Sequence, residues 1–146
     1  MRRSRSGHIL LIEDNPADAR ITFEAIKETG IAGEVTILQN GKEAEEFLHR
    51  QGRFAQAERP DLILLDLNLP GKDGREILAV IKNDPLLRRI PVIVLTTSAA
   101  EHDVLDAYDL HANCYIVKPL NYDRILTTLE RIGDFWFGVA KLPSRV

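Results

Sequence analysis

The stretch of residues 61–71 constrains the fold of this chain more than any other. Four consecutive apolar residues, 62–65, lie between Pro60 and the pair Pro70-Gly71. Such a short apolar run between chain breakers is typical of a strand buried on both faces in a parallel sheet. Asp66 follows directly, and open parallel sheets bind ligands beyond this end of their strands. We therefore predict a reactive or metal-binding role for Asp66; the alternative is an aspartate that only caps a helix or forms a turn.

The same strand pattern occurs four more times, and helical patterns lie between the strands. The other apolar strands are predicted at residues 8–12, 35–38, 91–95 and 113–117. Apolar residues at helical spacing predict helices at 16–28, around 44–48, after 73, at 100–110 and around 125–132. In the first of these helices, the row of Ala17, Ile21 and Ala25 is predicted to face the core. A regular β-α alternation predicts an α/β fold, with one parallel sheet covered by helices on both faces.

Local signals mark several boundaries. Asp73 and Glu76 have the spacing of a capping box at the start of the third helix. The polar stretch 50–59 is predicted to extend the second helix and then form a surface loop. A chain of 146 residues fits one domain, 1–146, in which residues 1–6 form a flexible basic tail and residues 133–146 a C-terminal extension.

Composition and charge exclude several classes of function. The net charge is −3, which gives no general electrostatic reason for nucleic-acid binding. The apolar runs are too short for a membrane span or a signal sequence. A single cysteine, Cys114, cannot form an internal disulfide and fits a reducing compartment. These features predict a cytoplasmic protein that binds neither membranes nor nucleic acid.

Polar side chains follow the predicted strands at one edge of the sheet. Glu13 and Asp14 follow the first strand, Asp66 the third, Thr96 the fourth and Lys118 the fifth. Carboxylates suit Mg²⁺, whereas a hydroxyl and an ammonium suit phosphoryl oxygens. Because aspartate can accept a phosphoryl group, the set predicts Mg²⁺-assisted phosphoryl transfer to Asp66. The alternative for Glu13 and Asp14 is that they are only acids at a helix start, where Asp18 also lies.

The histidines do not contribute to this site. They are scattered along the sequence, and we predict surface positions for all four: His8, His49, His102 and His111.

With these residues in place, the chain resembles a receiver domain of two-component response regulators from about Gly7 to Ile132. The acidic pair, the acceptor aspartate, the threonine and the Lys-Pro pair occur in the family's order. Thr96 follows Asp66 by 30 residues and Lys118 follows Thr96 by 22, as is typical of the family. The resemblance implies a flavodoxin-like (βα)5 fold, a doubly wound five-stranded parallel sheet with strand order 2-1-3-4-5.

The resemblance also implies a role for each site residue. Mg²⁺ would be held by Glu13, Asp14, Asp66 and the main-chain carbonyl of Asn68. Asp66 would take a phosphoryl group from a phosphohistidine of a sensor kinase, so the protein would be a signalling phosphoacceptor rather than an enzyme. The phosphoryl oxygens would then be bound by Thr96 and Lys118.

Three further expectations come from the family. The Lys118-Pro119 bond is expected to be cis. Tyr115 matches the family's switch aromatic and is expected to move inward when Thr96 turns toward the phosphoryl group, changing the face formed by the fourth helix, fifth strand and fifth helix. Thr97 stands where many receivers have a smaller residue, which changes access to the acyl phosphate.

Partners follow from the same resemblance. Too few residues follow the last helix for an output domain, so we expect binding to a downstream protein or phosphotransfer partner. Segments 68–76, 95–98, 112–115 and 134–136 resemble the small regulators paired with phytochrome-type histidine kinases.

The C-terminal extension carries the bulky residues Phe135, Trp136 and Phe137. Exposed, they would form a costly apolar patch. We predict a homodimer through this segment; the alternative is packing against its own domain.

Two other functions stay open from the sequence. One is a phosphate-independent pseudo-receiver that acts as a binding module, against which the complete set of acidic residues, threonine and lysine argues. The other is a phosphatase with Asp66 as a transient nucleophile. Such enzymes usually carry a second acid two residues after the nucleophile, where this chain has Asn68.

Overall fold

The computed structural model describes residues 7–71 and 73–143. It confirms the predicted alternation of strands and helices. The strands are β1 (His8–Ile12), β2 (Glu34–Leu38), β3 (Leu62–Leu65), β4 (Val92–Thr96) and β5 (Cys114–Val117). The helices are α1 (Pro16–Thr29), α2 (Gly41–Leu48), α3 (Gly74–Asn83), α4 (Glu101–Asp109) and α5 (Tyr122–Asp134). The predicted basic tail, residues 1–6, lies outside the described residues, as does the end of the C-terminal extension from 144 onward.

The five strands form one parallel sheet in the order β2-β1-β3-β4-β5, which confirms the predicted topology. Register places strand ends side by side: Ile12 pairs with Leu65, and Thr96 pairs with Val117. The residues that follow these strands therefore meet at one edge of the sheet. This edge holds the candidate functional site.

The core lies in two layers, one on each face of the sheet. In β3, Leu62 and Leu64 contact one layer, and Ile63 and Leu65 contact the other. Successive side chains of a strand point to opposite faces of the sheet. Because a core layer covers each face, all four side chains are fully buried. This explains why the strand reads as a continuous apolar run rather than as an alternating one.

Side-chain caps fix where the helices begin. The amide oxygens of Asn15, Asn40 and Asn121 accept backbone N–H groups at the starts of α1, α2 and α5. Asp73 and Glu76 form the predicted capping box of α3. These caps bring the helices directly out of the loops that follow the strands.

The buried face of α1 differs from the predicted one. Ala17 is exposed and Ile21 is 41% exposed, so only Ala25 of the predicted row is buried. The buried residues of α1 are Ala19, Thr22, Ala25 and Ile26. Small and hydroxyl side chains therefore supply much of this face, and Ile21 lies toward solvent.

The segment after α2 is also shorter in helix than predicted. The helix ends at Leu48, and Arg50 has a left-handed backbone with φ of 57°. A side chain with a Cβ is strained in this region, and a helix cannot continue through it. The predicted extension is therefore wrong, and a 3-10 turn at Gly52–Phe54 follows instead. Phe54 packs edge-on against Phe47, with ring centroids 5.4 Å apart.

The C-terminal aromatic residues divide between the core and the surface. After α5, a π-helical turn spans Phe135–Val139. Trp136 and Phe137 pack against the core layer on the α1 and α5 side, whereas Phe135 remains 51% exposed. Packing within the domain therefore accounts for two of the three aromatic residues that we assigned to a dimer.

Two further findings concern predictions made above. His8 is buried rather than at the surface, with its Nε2 2.8 Å from Thr36 Oγ1. It opens a strand that is covered on both faces, which the surface prediction overlooked. Within the described residues, no helix has the length and apolarity needed to cross a membrane.

Candidate functional site

Three carboxylates converge at the carboxyl edge of the sheet. Glu13 and Asp14 follow β1, and Asp66 follows β3. One ligand oxygen from each lies within 4.8 Å of the others. Glu13 and Asp66 are buried, and Asp14 is half-buried. The predicted acidic cluster is therefore present as a compact group with one side open to solvent.

Backbone hydrogen bonds hold these acids in place. The N–H of Glu13 donates to Leu38 O at 3.0 Å, and the N–H of Asp66 donates to Ile12 O at 3.0 Å. Both bonds continue the ladders of the sheet by one residue. Asp66 Oδ1 also accepts the N–H of Asn68 at 3.0 Å, which fixes the orientation of its carboxylate.

Lys118 crosses the edge of the sheet to reach the acids. Its Nζ contacts Glu13 Oε1, Asp66 Oδ2 at 3.2 Å and Asp18 Oδ2 at 3.3 Å. The backbone places it there, because the N–H of Lys118 donates to Thr96 O at 2.7 Å. Burial lowers the pKa of Lys118, but the carboxylates of Glu13 and Asp66 outweigh burial and raise the pKa above its usual value.

The charge of Glu13 is finely balanced. The pKa of Glu13 is raised to about 7: burial raises it most, Lys118 lowers it, and Asp66 raises it. Binding of a cation, or movement of Lys118 away from Glu13, would therefore change the pKa of Glu13 directly. Proton, lysine and metal ion therefore compete for one buried carboxylate.

Thr96 is the last residue of β4, on the strand next to Asp66. It is fully buried, and its Oγ1 has no hydrogen-bond partner in residues 7–71 and 73–143. Leaving a buried hydroxyl without a partner costs about 1–3 kcal/mol. An acceptor that arrives at this edge would satisfy it. Thr97 is exposed and lines, with Asp18 and Lys118, a cavity of about 230 Å³ between α1 and α5.

Tyr115 connects β5 to the loop that follows Thr96. Its hydroxyl donates to Ser98 O at 2.8 Å, and its backbone N–H donates to the hydroxyl of Tyr108 at 3.1 Å. The ring is half-buried and packs on the core layer that faces α3 and α4. A movement of the loop at Ser98 would therefore disturb the hydrogen bond of the Tyr115 hydroxyl.

The expectation of a cis bond between Lys118 and Pro119 is wrong for this structure, because no described peptide bond is cis. An X-Pro bond favours trans by only about 0.5–1 kcal/mol, so the sequence alone does not fix the isomer.

Sequence reasoning missed two parts of the site. The sequence predicts Asp18 as an acid at the start of α1, but Asn15 is the cap and the carboxylate of Asp18 contacts Lys118. The second is Arg75 at the start of α3, which contacts Asp73 and, across to α4, Asp103 and Asp106. Asp18 has a sequence signal, since it lies four residues after Asp14 in the first helical turn. The Arg75 contacts have none, because they join helices whose packing the sequence does not give.

The donor set fits a hard divalent cation. Three carboxylates offer oxygen ligands, which Mg²⁺ accepts while it keeps several waters. A buried hydroxyl and an ammonium at the same edge suit the oxygens of a phosphoryl group. The arrangement therefore has the groups needed to bind Mg²⁺ and the oxygens of a phosphoryl group beside a carboxylate.

The fold and this site define a class of protein. Residues 9–130 match the family model of the response regulator receiver domain, and the chain belongs to that family. Among curated proteins, it is 49% identical over 136 residues to "Response regulator Rcp1" of Synechocystis sp. (strain ATCC 27184 / PCC 6803 / Kazusa), covering 93% of this chain and 92% of that protein.

Solved structures agree with this assignment. One is the phosphorylated cyanobacterial phytochrome response regulator RcpA, with a TM-score of 0.90, 50% identity and coverage of 95% of this chain and 99% of that one. Another is the Mn²⁺-bound form of Rcp1, with a TM-score of 0.87, 48% identity and coverage of 94% and 99%. The acidic cluster and the metal-bound relative together support Mg²⁺ as the cofactor.

Proposed function

We propose that this protein is a response regulator that accepts a phosphoryl group on Asp66 from a phosphohistidine of a sensor kinase, with Mg²⁺ bound. The observation that carries the proposal is the meeting of three carboxylates, Lys118 and an unsatisfied Thr96 hydroxyl at one edge. A structural ion-pair network would satisfy its own polar groups. Here the buried hydroxyl of Thr96 finds no acceptor among the residues that the structure describes, and a phosphoryl oxygen would supply one.

Each group has a separate task in the transfer. An oxygen of Asp66 attacks phosphorus, the P–N bond to the donor histidine breaks with its electron pair returning to the imidazole, and a P–O bond to Asp66 forms. Bound Mg²⁺, held by Glu13, Asp14, Asp66 and the Asn68 carbonyl, would neutralise charge on the phosphoryl oxygens. Lys118 and Thr96 donate to those oxygens, and Thr97 lies at the rim where a second reactant enters.

The switch follows from the contacts of Tyr115. When Thr96 Oγ1 turns to a phosphoryl oxygen, the following loop moves with it, and this loop contains the Ser98 carbonyl that binds the Tyr115 hydroxyl. The ring then loses its outer anchor and turns inward toward the space that Thr96 leaves. The face of α4, β5 and α5 changes, and partner binding follows.

The proposed partners rest on similarity to relatives. This chain is similar to Rcp1 and to RcpA over nearly their whole lengths, and RcpA is a phytochrome response regulator. We therefore propose a phytochrome-type histidine kinase as the phosphoryl donor. The output is contact with a downstream protein or transfer of the phosphoryl group to a phosphotransfer partner. We place both events in the cytoplasm.

We also propose a homodimer through the C-terminal segment. Phe135 remains half exposed and Val139 is 78% exposed, which leaves an apolar edge beside the packed Trp136 and Phe137. Truncation would remove core residues, so the sharper test replaces Phe135 and Val139 by serine and measures mass by analytical ultracentrifugation. We expect a monomer for the double variant and a dimer for the parent; equal masses would contradict this.

The phosphoacceptor role is tested by intact-protein mass spectrometry. We expect acetyl phosphate and Mg²⁺ to add one phosphoryl group that hydroxylamine removes. The adduct should be absent without Mg²⁺ and in Asp66→Ala, and present in Asp123→Ala, which alters an exposed acid of α5. A phosphoryl adduct on Asp66→Ala would contradict Asp66 as the acceptor. So would a parent protein that gains no adduct and binds beryllofluoride at a residue other than Asp66.

A further inference from the structure

Asp18 is the one carboxylate around Lys118 that the metal cluster does not include. The described group of potential metal ligands contains Glu13, Asp14 and Asp66. Asp18 lies in the first turn of α1, and its side chain is 42% exposed, yet its Oδ2 is 3.3 Å from Lys118 Nζ. Its backbone N–H is already capped by Asn15, so helix capping does not explain the direction of its carboxylate.

An ammonium group has three N–H donors. In this structure, Lys118 contacts three carboxylates, those of Glu13, Asp18 and Asp66. A phosphoryl oxygen therefore gains a donor from Lys118 only if one carboxylate gives its donor up. The three carboxylates are not equal in this exchange.

Two of them would contact Lys118 less strongly once Asp66 is phosphorylated and the cation is bound. One oxygen of Asp66 would become part of the acyl phosphate, and Glu13 would be a ligand for the divalent cation. Asp18 is outside the metal group and open to water, so neither the cation nor the phosphoryl group would engage its carboxylate. Its Oδ2 and that of Asp66 are no more than about 6.5 Å apart, since both contact the same nitrogen.

We propose that Asp18 is a positioning residue that competes with the phosphoryl group for Lys118 and so weakens the phosphorylated state. This inference rests on the proposed function and adds a residue that sets its strength. The pair is half-exposed, so its effect on phosphoryl binding is about twofold to fivefold, the range expected for an exposed ion pair.

The test measures beryllofluoride binding in saturating Mg²⁺ by calorimetry, with Asp18→Asn as the variant. We expect Asp18→Asn to bind beryllofluoride about twofold to fivefold more tightly than the parent. Asp18→Glu, which restores the charge, should return toward the parent. The matched control is Asp123→Asn, which removes a first-turn acid of α5 and should leave binding unchanged.

Mg²⁺ affinity without beryllofluoride separates competition from simple damage. Removing Asp18 takes negative charge from the site and frees Lys118 for Glu13 and Asp66, so Mg²⁺ should bind equally or more weakly. The inference therefore predicts tighter binding of the anion without tighter binding of the cation. Damage to the site would weaken both.

Three results would overturn the inference: unchanged or weaker beryllofluoride binding by Asp18→Asn, tighter binding that Asp18→Glu shares, or the same gain in Asp123→Asn. Failure of the proposed function looks different, because the parent protein itself would then bind no beryllofluoride in Mg²⁺ and gain no phosphoryl group at Asp66.

Discussion

Gly74 is the position where one added carbon atom should damage both the fold and the site. It is the first residue of α3, and its N–H donates to Leu67 O at 3.0 Å. A Cβ at Gly74 would lie 2.5 Å from Asp66 O and 2.6 Å from Leu67 Cα. Both are backbone atoms, which cannot rotate away as the end of a side chain can. The start of α3 is therefore packed directly onto the backbone of the acceptor aspartate.

The cost of Gly74→Ala follows from this contact. Carbon atoms pack at about 3.5–4.0 Å, so helix and strand end must separate by roughly 1 Å. Overpacking of this kind costs about 1–3 kcal/mol of folding free energy. The better helix propensity of alanine returns at most about 1 kcal/mol. We expect a net loss of about 1–2 kcal/mol, which a domain with typical stability survives.

The displacement matters more for function than for stability. A shift of about 1 Å in a reacting group slows catalysed chemistry by as much as about 100-fold. We therefore expect Gly74→Ala to take a phosphoryl group from acetyl phosphate at least about tenfold more slowly than the parent, with weaker Mg²⁺ binding. Urea unfolding gives the stability, and intact-mass spectrometry gives the rate per folded molecule.

Gly133→Ala is the matched control. A Cβ at Gly133 would meet the side chain of Ile31, within 2.6 Å of its Cβ, so it also disturbs packing, but far along α5 and against a side chain. It should lose stability and keep its phosphorylation rate. Parent-like phosphorylation in Gly74→Ala would refute the argument, and so would an equal loss in both variants, which would indicate general destabilisation.

Three further predictions follow from the charges and contacts of the structure. Burial raises the pKa of Glu13 to about 7, well above its unfolded value, so ionising Glu13 costs folding free energy as pH rises through about 7. Glu13→Gln should therefore raise the free energy of unfolding of the metal-free protein at pH 8, measured in urea, and should weaken Mg²⁺ binding. The ammonium of Lys82 donates to two backbone carbonyls and Asn113 Oδ1, and Lys82→Met should cost about 2 kcal/mol without slowing phosphorylation, as thermal unfolding and mass spectrometry would show. Arg75→Ala removes the ion pairs that tie α3 to α4 and should lower hydrogen-exchange protection in α4 while that of α5 is unchanged.

The strands were predictable because their physics is local. A strand covered on both faces must be apolar along its whole length, so the limits of the apolar run from Leu62 to Leu65 predict the limits of the strand. The site residues then followed from topology, since parallel strands bring Glu13 and Asp66 to one edge. Strand order and register alone bring the acids together, whatever the positions of the helices, so the acidic cluster was predictable and the buried face of α1 was not.

Features that depend on side-chain direction between distant elements were not predictable. Asp18 occupies the position of an ordinary first-turn acid, and only the reach of Lys118 from β5 gives it a second role. The break after α2 rests on the left-handed backbone of Arg50, for which the sequence has no glycine as a signal. The isomer at Pro119 depends on a free-energy difference too small for the sequence to fix.

The packing of α4 connects the site to the proposed switch. Among its residues, only Ala107 is fully buried, so little hydrophobic free energy fixes the position of this helix. Its place is set instead by polar contacts: Arg75 reaches Asp103, and Asp103 also accepts from the hydroxyl of Ser98. Ser98 lies two residues after Thr96, so the group that would bind phosphate and the group that holds α4 share one short loop. A helix held mainly through such contacts can change position at a cost that a few new hydrogen bonds to a phosphoryl group would offset.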